Sequence, residues 1–297
     1  MSNDILNKKK ILVIVNPISG LGKQKRIEKW IDEGLDKSKF TSSIVHTTHA
    51  GHATELSKKA IEDGVDIIVA VGGDGTVNEI GQTLVGSSTA LGIIPTGSGN
   101  GLARHLKIPF NFAKAINVIN KEKIRKIDTA TLNDKVFLSV AGIGYDAFVA
   151  RKFSKAAKRG FISYFRIVTA EYPKYTPKKY ELEIDGKKIT RRALLVTFAN
   201  SNQFGNNTSI DPTARIDDGF IDVCIVKRIP LLLTPFYVPL LFTKTFHKTH
   251  YIEIIKAKEV RIVRKKGKTV HFDGDPFKMS KTMEMKINPL SLNIIVP

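Results

Sequence analysis

Three apolar runs in the first hundred residues each end in a glycine-bearing turn, and each turn opens into a stretch of helical periodicity. The most restrictive is Gly72-Gly73-Asp74-Gly75-Thr76-Val77-Asn78-Glu79, which follows the largely apolar run 66–71. A run of that length and composition reads as a buried strand. Three glycines in four positions let the backbone turn sharply and approach a bulky ligand, and the N–H groups of such a turn point at anions. Phosphate is therefore the expected guest. Asp74 has a different task, because a carboxylate repels phosphate: it meets phosphate through Mg2+ or orients a catalytic group.

The same arrangement occurs on either side. Residues 11–15 form a short strand that runs into Asn16-Pro17-Ile18-Ser19-Gly20-Leu21-Gly22-Lys23, then a helix to about residue 37 in which Ile27, Trp30, Ile31 and Leu35 recur at helical spacing. Residues 41–46 form a second strand, followed by Thr47-Thr48-His49-Ala50-Gly51-His52-Ala53 and a helix to about residue 63. Residues 90–94 lead into Pro95-Thr96-Gly97-Ser98-Gly99-Asn100-Gly101 at the head of another helix. Strand alternates with helix through the first ~125 residues, which predicts a parallel sheet with crossover helices. In such a sheet the carboxyl ends of the strands gather on one edge, where ligands bind. The first turn is not a P-loop, because Gln24 follows Lys23 where Ser or Thr is required and position 17 is proline. His49 and His52 are three apart, but no third metal ligand is near, and they read as solvated or capping.

Beyond about residue 128 the texture changes. Short strand-like runs at 136–140, 180–184, 193–199, 220–226, 251–255, 260–263, 269–272, 283–287 and 292–296 are separated by turn signals such as Asp185-Gly186 and Lys266-Gly267. Many short strands with tight turns predict an antiparallel sandwich or barrel. Two stretches, 146–171 and 231–246, read as helical. The expectation is an α/β N-terminal domain over residues 1–128 and a mainly antiparallel β-sandwich domain over residues 129–297.

The chain carries 47 Lys and Arg against 28 Asp and Glu, a formal net charge of +19. A field of that sign attracts nucleotide, anionic lipid or nucleic acid. No zinc finger, RNP-like aromatic motif or recognisable DNA-reading helix is present, so nucleic acid is not the expected partner. The single cysteine, Cys224, excludes a disulfide framework and reads as a buried small side chain. No signal peptide is visible, and no uninterrupted apolar run approaches the ~20 residues of a spanning helix.

With Asn16-Pro17-x-Ser19-Gly20, the GGDGT turn and Ile94-Pro95-Thr96-Gly97-Ser98-Gly99-Asn100 taken together, the chain resembles the diacylglycerol kinase catalytic-domain family. Within it, the likeness is to soluble bacterial lipid kinases related to diacylglycerol and sphingosine kinases. It extends over almost the whole chain, through Gly142-Ile143-Gly144-Tyr145-Asp146, Asp217-Asp218-Gly219-Phe220-Ile221-Asp222-Val223 and Asp273-Gly274-Asp275. NAD kinases share the GGDGT turn but not the first or third loop in this form. The resemblance implies an NAD-kinase-like sheet and ATP- and Mg2+-dependent transfer of a γ-phosphate to a lipid hydroxyl, at a site between two domains.

Position by position, the resemblance assigns ATP contacts to Asn16, Pro17, Ser19, Gly20, Thr47, Gly72, Gly73, Asp74, Gly75, Thr76, Asn78, Glu79 and Thr96. It implies a general base in the Asp273-Gly274-Asp275 turn, since an attacking alcohol must lose its proton. Asp275 is the expected base with Asp273 as its neighbour, or the reverse. Asp128 is expected to work with Asp74 in bridging to magnesium. A second cation, distinct from the one travelling with ATP, is implied at the backbone carbonyls of Arg215 and Phe220 and the side chain of Asp218.

One departure stands out. Where bacterial diacylglycerol kinases usually carry Asp after the Asn of the third loop, this chain has Gly101, a form nearer the sphingosine and ceramide kinases. The alternatives are a kinase of a soluble acceptor such as NAD, and a non-catalytic lipid-binding homologue. A lipid kinase without a spanning helix must visit an anionic membrane surface, so the expected setting is cytoplasmic and peripherally membrane-associated. Two stretches suit that contact: the basic and aromatic residues 151–161, and the apolar residues 229–246, which read equally well as core packing. The sequence does not set the oligomeric state, and a homodimer is compatible with it.

Overall fold

The computed structural model describes residues 8–19, 24–97, 99–156, 160–204, 208–264 and 268–297. The chain divides into two compact units, Met1–Ile127 with Ser291–Pro297, and Asp128–Leu290. The division thus falls one residue before the expected boundary, and the C-terminal segment belongs with the first unit, where Ile294 pairs with Leu91.

The first unit alternates strand and helix: β1 (Lys9–Val15), α1 (Gln24–Gly34), β2 (Phe40–His46), α2 (His52–Glu62), β3 (Ile67–Gly72), α3 (Asp74–Leu84), β4 (Ala90–Pro95), α4 (Gly101–His105) and α5 (Phe112–Lys121). The four strands are parallel in the order β2-β1-β3-β4. Every residue of β3 and β4 is buried, as expected of parallel strands covered on both faces. The α1 stripe does what its spacing predicts: Ile27, Ile31 and Leu35 enter a core with Val13, Val69 and Ile116. Trp30 is only half-buried, against Phe112 with ring centroids 5.2 Å apart. Because the strands are parallel, the residues that follow them (Asn16, Thr47, Gly73 and Thr96) emerge at one edge.

The second unit takes over within β5 (Ile124–Leu132). It continues through β6 (Lys135–Phe137), β7 (Val140–Gly144), α6 (Tyr145–Ser154), α7 (Phe161–Glu171), β8 (Lys178–Ile184), β9 (Lys187–Ala193), β10 (Leu195–Ala199) and β11 (Ile221–Val226). Then come α8 (Thr234–Tyr237), α9 (Pro239–Phe242), β12 (Ile252–Ala257), β13 (Glu259–Val263), β14 (Lys268–Phe272), β15 (Asp275–Met279) and β16 (Thr282–Ile295). One sheet runs β12-β11-β10-β7-β14-β15, antiparallel throughout. In the other layer β13 pairs antiparallel with β16 and β8, and β8 with β9. Phe137, Phe198, Phe272, Leu182, Ile262 and Met283 fill the sandwich.

Several expected elements divide or merge. The run 193–199 splits at Leu194 between β9 and β10, and the two last expected strands are one, β16. The helical stretch 146–171 resolves into α6 and α7, with Gly160 at φ 106° ahead of α7. The stretch 231–246 becomes a 3-10 turn, Leu231–Leu233, and the short α8 and α9. Pro235 and Pro239 sit in the first turns of those helices, where a missing N–H is tolerated, and so cannot lie within one long helix.

Gly142 in β7 pairs with His271 in β14. Asp146, in the first turn of α6, accepts from the Thr197 hydroxyl at 3.0 Å, and its Oδ2 lies 3.1 Å from His271 Nε2. All three side chains are buried. A Cβ on Gly142 would lie 2.1 Å from Asp146 Oδ2 and 2.4 Å from His271 Nε2, so the pair occupies the space a side chain would need. Gly142→Ala is therefore expected to destabilise the protein by about 2–3 kcal/mol, through overpacking and a broken buried hydrogen bond, seen as a lowered urea midpoint.

Candidate active site

The glycine turns of the first unit are joined by their own hydrogen bonds. Asp74, at the start of α3, accepts from the N–H of Asn100 at 2.8 Å and of Gly101 at 2.7 Å. The Asn100 amide donates to the Gly72 carbonyl at 3.0 Å, and the Thr96 N–H donates to the same oxygen at 3.0 Å. The first loop joins through Asn16, whose amide donates to the Thr76 hydroxyl at 3.0 Å, and through Ser19, whose hydroxyl lies 3.0 Å from that of Thr96. Thr47 is held through its N–H to the Val15 carbonyl at 2.9 Å. The second and third loops touch backbone to backbone: a Cβ on Gly97 would stand 2.7 Å from the Gly73 Cα. A glycine-walled edge beside the N-terminus of α3 fits a phosphate-bearing nucleotide.

Not every expected ATP residue is free for that role. The Glu79 carboxylate accepts from the Gly51 N–H at 3.0 Å and so anchors the start of α2. Asn78 has a buried Oδ1 with no hydrogen-bond partner. Gly20 lies outside the described residues. Burial pushes the Asp74 carboxyl above its ordinary value, against the opposing N–H bonds from Gly101 and Asn100. His49 and His52 stack with ring centroids 4.8 Å apart, and His52 Nδ1 accepts the Thr48 N–H at 3.1 Å, which closes the turn ahead of α2.

In the second unit, β14 and β15 form a hairpin with Phe272 opposite Asp275. Its two turn residues, Asp273 and Gly274, both have positive φ (48° and 99°), the conformation an Asp-Gly hairpin turn adopts. Asp273 turns inward, where its carboxylate accepts from the N–H groups of Leu138, Ser139 and Val140 at 3.1, 2.9 and 2.8 Å. Asp275 is exposed at the head of β15. The two acids therefore divide the work: one holds the turn to the chain before β7, and the other is presented to solvent.

Asp128 is fully buried, and its two oxygens accept from the N–H groups of Gly219 at 2.8 Å and Leu290 at 2.7 Å. That makes it a node of the second unit's own fold. Asp218 Oδ1 accepts the Phe220 N–H at 3.1 Å, and its Oδ2 takes Lys256 Nζ at 2.8 Å. Lys256 also lies 3.2 Å from buried Asp222, an ion pair rather than an aligned hydrogen bond. Burial first, and the neighbouring Asp211 charge second, push Asp222 up to about 6, with Lys256 opposing. Burial draws the Lys256 ammonium down, but Asp218 and Asp222 outweigh it and hold its pKa above the ordinary value.

Arg215 meanwhile pairs with Asp217 at 3.5 Å. An internal ammonium thus holds the carboxylate expected to bind a second metal. Lys256 thus takes the one side-chain carboxylate that the expected site at Arg215, Asp218 and Phe220 would offer a cation. Among the described residues no group of three or more His, Cys, Asp or Glu side chains is placed to hold a metal.

Sequence reasoning passed over Lys256, His271 and Thr197, which carry no motif of their own. The one available signal was Gly142, in a strand where glycine is otherwise unfavourable.

A parallel sheet with glycine-walled loops on its carboxyl edge, and an antiparallel sandwich carrying a fixed acidic hairpin, are the two parts of this fold, and known families match each of them. The "Diacylglycerol kinase catalytic domain" profile matches residues 10–132, and the "YegS C-terminal NAD kinase beta sandwich-like domain" profile matches residues 139–296. The chain belongs to the diacylglycerol kinase catalytic-domain family and is a kinase of that family. It is 28% identical to the diacylglycerol kinase of Staphylococcus carnosus over 90% of this chain and 89% of the relative. It is 27% identical to that of Bacillus subtilis, over 90% of each. The crystal structure of a diacylglycerol kinase from Bacillus anthracis superposes with a TM-score of 0.77 at 25% identity, covering 98% of each chain.

Two outcomes follow from the acidic residues. Asp273→Asn should lower the unfolding midpoint by the equivalent of about 2–4 kcal/mol in differential scanning fluorimetry, because a turn-fixing anion loses its charge, and by more than the exposed Asp275→Asn does. Without nucleotide, the wild-type midpoint should be the same in EDTA and in MgCl2. Lys256→Met should cost about 1–2 kcal/mol, discounted for the half-exposed lysine, and should gain stability from added Mg2+.

Proposed function

We propose that this kinase transfers the γ-phosphate of Mg-ATP to the hydroxyl of a lipid, with Asp275 as general base. The observation that carries the reading is the hairpin: an exposed carboxylate on a turn whose other acid is locked by three N–H bonds. The relatives named diacylglycerol kinase support a lipid acceptor.

In this reading the loop edge of the first unit binds ATP through Asn16, Ser19, Gly72, Gly73 and Thr96, with backbone N–H groups directed at the phosphates. Mg2+ bound with ATP would supply positive charge that offsets the charge of the phosphates beside the loop edge. Asp74 keeps the second and third loops at fixed spacing. Asp275 takes the proton of the acceptor hydroxyl, the oxygen attacks the γ-phosphorus, the bond to the β-phosphate oxygen breaks, and ADP leaves. Asp273 positions Asp275 rather than touching substrate.

The test is transfer of radiolabelled γ-phosphate into a panel of diacylglycerol, monoacylglycerol, phosphatidylglycerol, ceramide, sphingosine, undecaprenol and NAD. Label should enter one lipid class and fall by about 10²–10⁴-fold in Asp275→Asn. Label in NAD alone, or full activity in that variant, overturns the proposal.

A further inference from the structure

The apolar stretch 229–246 sends its side chains two ways. Tyr237, Leu240 and Leu241 pack on a core that includes Val149, Leu195 and Ile252, and Phe246 is buried in it. Leu231, Leu232, Leu233 and Phe236 face away from it. Leu232 is 88% exposed and Phe236 72%. Helix α7 packs on the same core through Tyr164, Ile167 and Val168 and leaves Ile162 79% exposed. The two segments are tied at their base, where the Tyr172 hydroxyl donates to the Ile229 carbonyl at 2.7 Å and accepts its N–H at 3.0 Å. Arg228 reinforces the tie through the carbonyls of Tyr175 and Pro173.

Large apolar side chains grouped in water mark an interaction surface. The surrounding charge identifies the partner. From Arg228 to His250 the sequence has no Asp or Glu but carries Lys244 and Lys248, and residues 151–170 likewise have none and carry Arg151, Lys155 and Arg166 beside Lys152, whose ammonium pairs with Glu171 at 2.8 Å. Apolar tips on segments rich in cations and poor in acids complement an anionic bilayer, where lipid phosphates meet the basic side chains and the acyl boundary takes the tips. No helix among the described residues is long and apolar enough to cross a membrane, so insertion on this face is shallow.

We propose that Leu231, Leu232, Leu233 and Phe236, with Ile162 of α7, form a foot that docks this kinase on an anionic membrane. The inference deepens the lipid-kinase reading by placing the surface from which the acceptor is taken, and its test needs no catalysis. The full-length protein is sedimented with vesicles of phosphatidylglycerol and phosphatidylcholine in equal parts, and with pure phosphatidylcholine, without nucleotide. Wild type should bind the anionic vesicles more tightly than the neutral ones. The double variant Leu232→Ser/Phe236→Ser should bind at least about tenfold more weakly, with an unchanged melting midpoint.

Wild-type affinity in the double variant overturns the foot. So does equal binding of wild type to neutral vesicles, or a wild-type dimer in lipid-free sedimentation that the variant abolishes, which would make the face a contact with a second copy. Phosphorylation of an acceptor delivered in detergent micelles should be the same in wild type and variant. Its absence from both, with vesicle binding intact, would fail the lipid-kinase reading and leave the foot standing.

Discussion

A carboxylate that accepts backbone N–H bonds from a segment distant in the chain is the interaction on which both halves of this protein depend. Asp74 does this between the second and third glycine loops, Asp128 between Gly219 and Leu290, and Asp273 across the chain entering β7. A bond to an ionised acceptor is stronger than a neutral one, and each of these ties together segments far apart in the chain. Burial works against the charge, as at Asp74, so the arrangement holds only while the donors remain in place.

This use of carboxylates separates residues that a motif groups together. In Asp273-Gly274-Asp275 the two acids look interchangeable as letters. In the folded chain, one carries the turn and the other stands exposed at the head of β15. The same holds for Asp74, whose oxygens meet the third loop, and for Asp218, whose charge is answered by Lys256. A net charge of +19 does not mean that every acid is well supplied with cations. Asp211 and Asp222 are buried near one half-exposed lysine, and Asp222 is raised to about 6 as a result.

The parts of the fold that were legible in the sequence are those with a period or a local geometry. The strand–turn–helix alternation, the α1 stripe and the Asp-Gly hairpins are of this kind, and they fix the parallel sheet and the sandwich. What was hidden depends on partners far apart in the chain. Nothing near Lys256 announces Asp218, and nothing near His271 announces Asp146, because a pair separated by tens of residues leaves no pattern in either neighbourhood. Element boundaries were misplaced for a related reason. The stretch 231–246 has helical composition, but its prolines restrict it to short pieces, and the strand 282–295 runs unbroken through an Asn-Pro pair that reads as a break.

Gly142 shows how narrow some of this architecture is. Its missing side chain is filled by Asp146 and His271, and Thr197 holds the former in place. A larger residue at 142 is excluded while the pair stands, and removing Asp146 takes from the buried His271 the carboxylate that faces its Nε2. These four positions therefore form one hereditary unit. A lineage can leave this arrangement only by coordinated replacement, and its members should differ there by whole sets rather than by single letters.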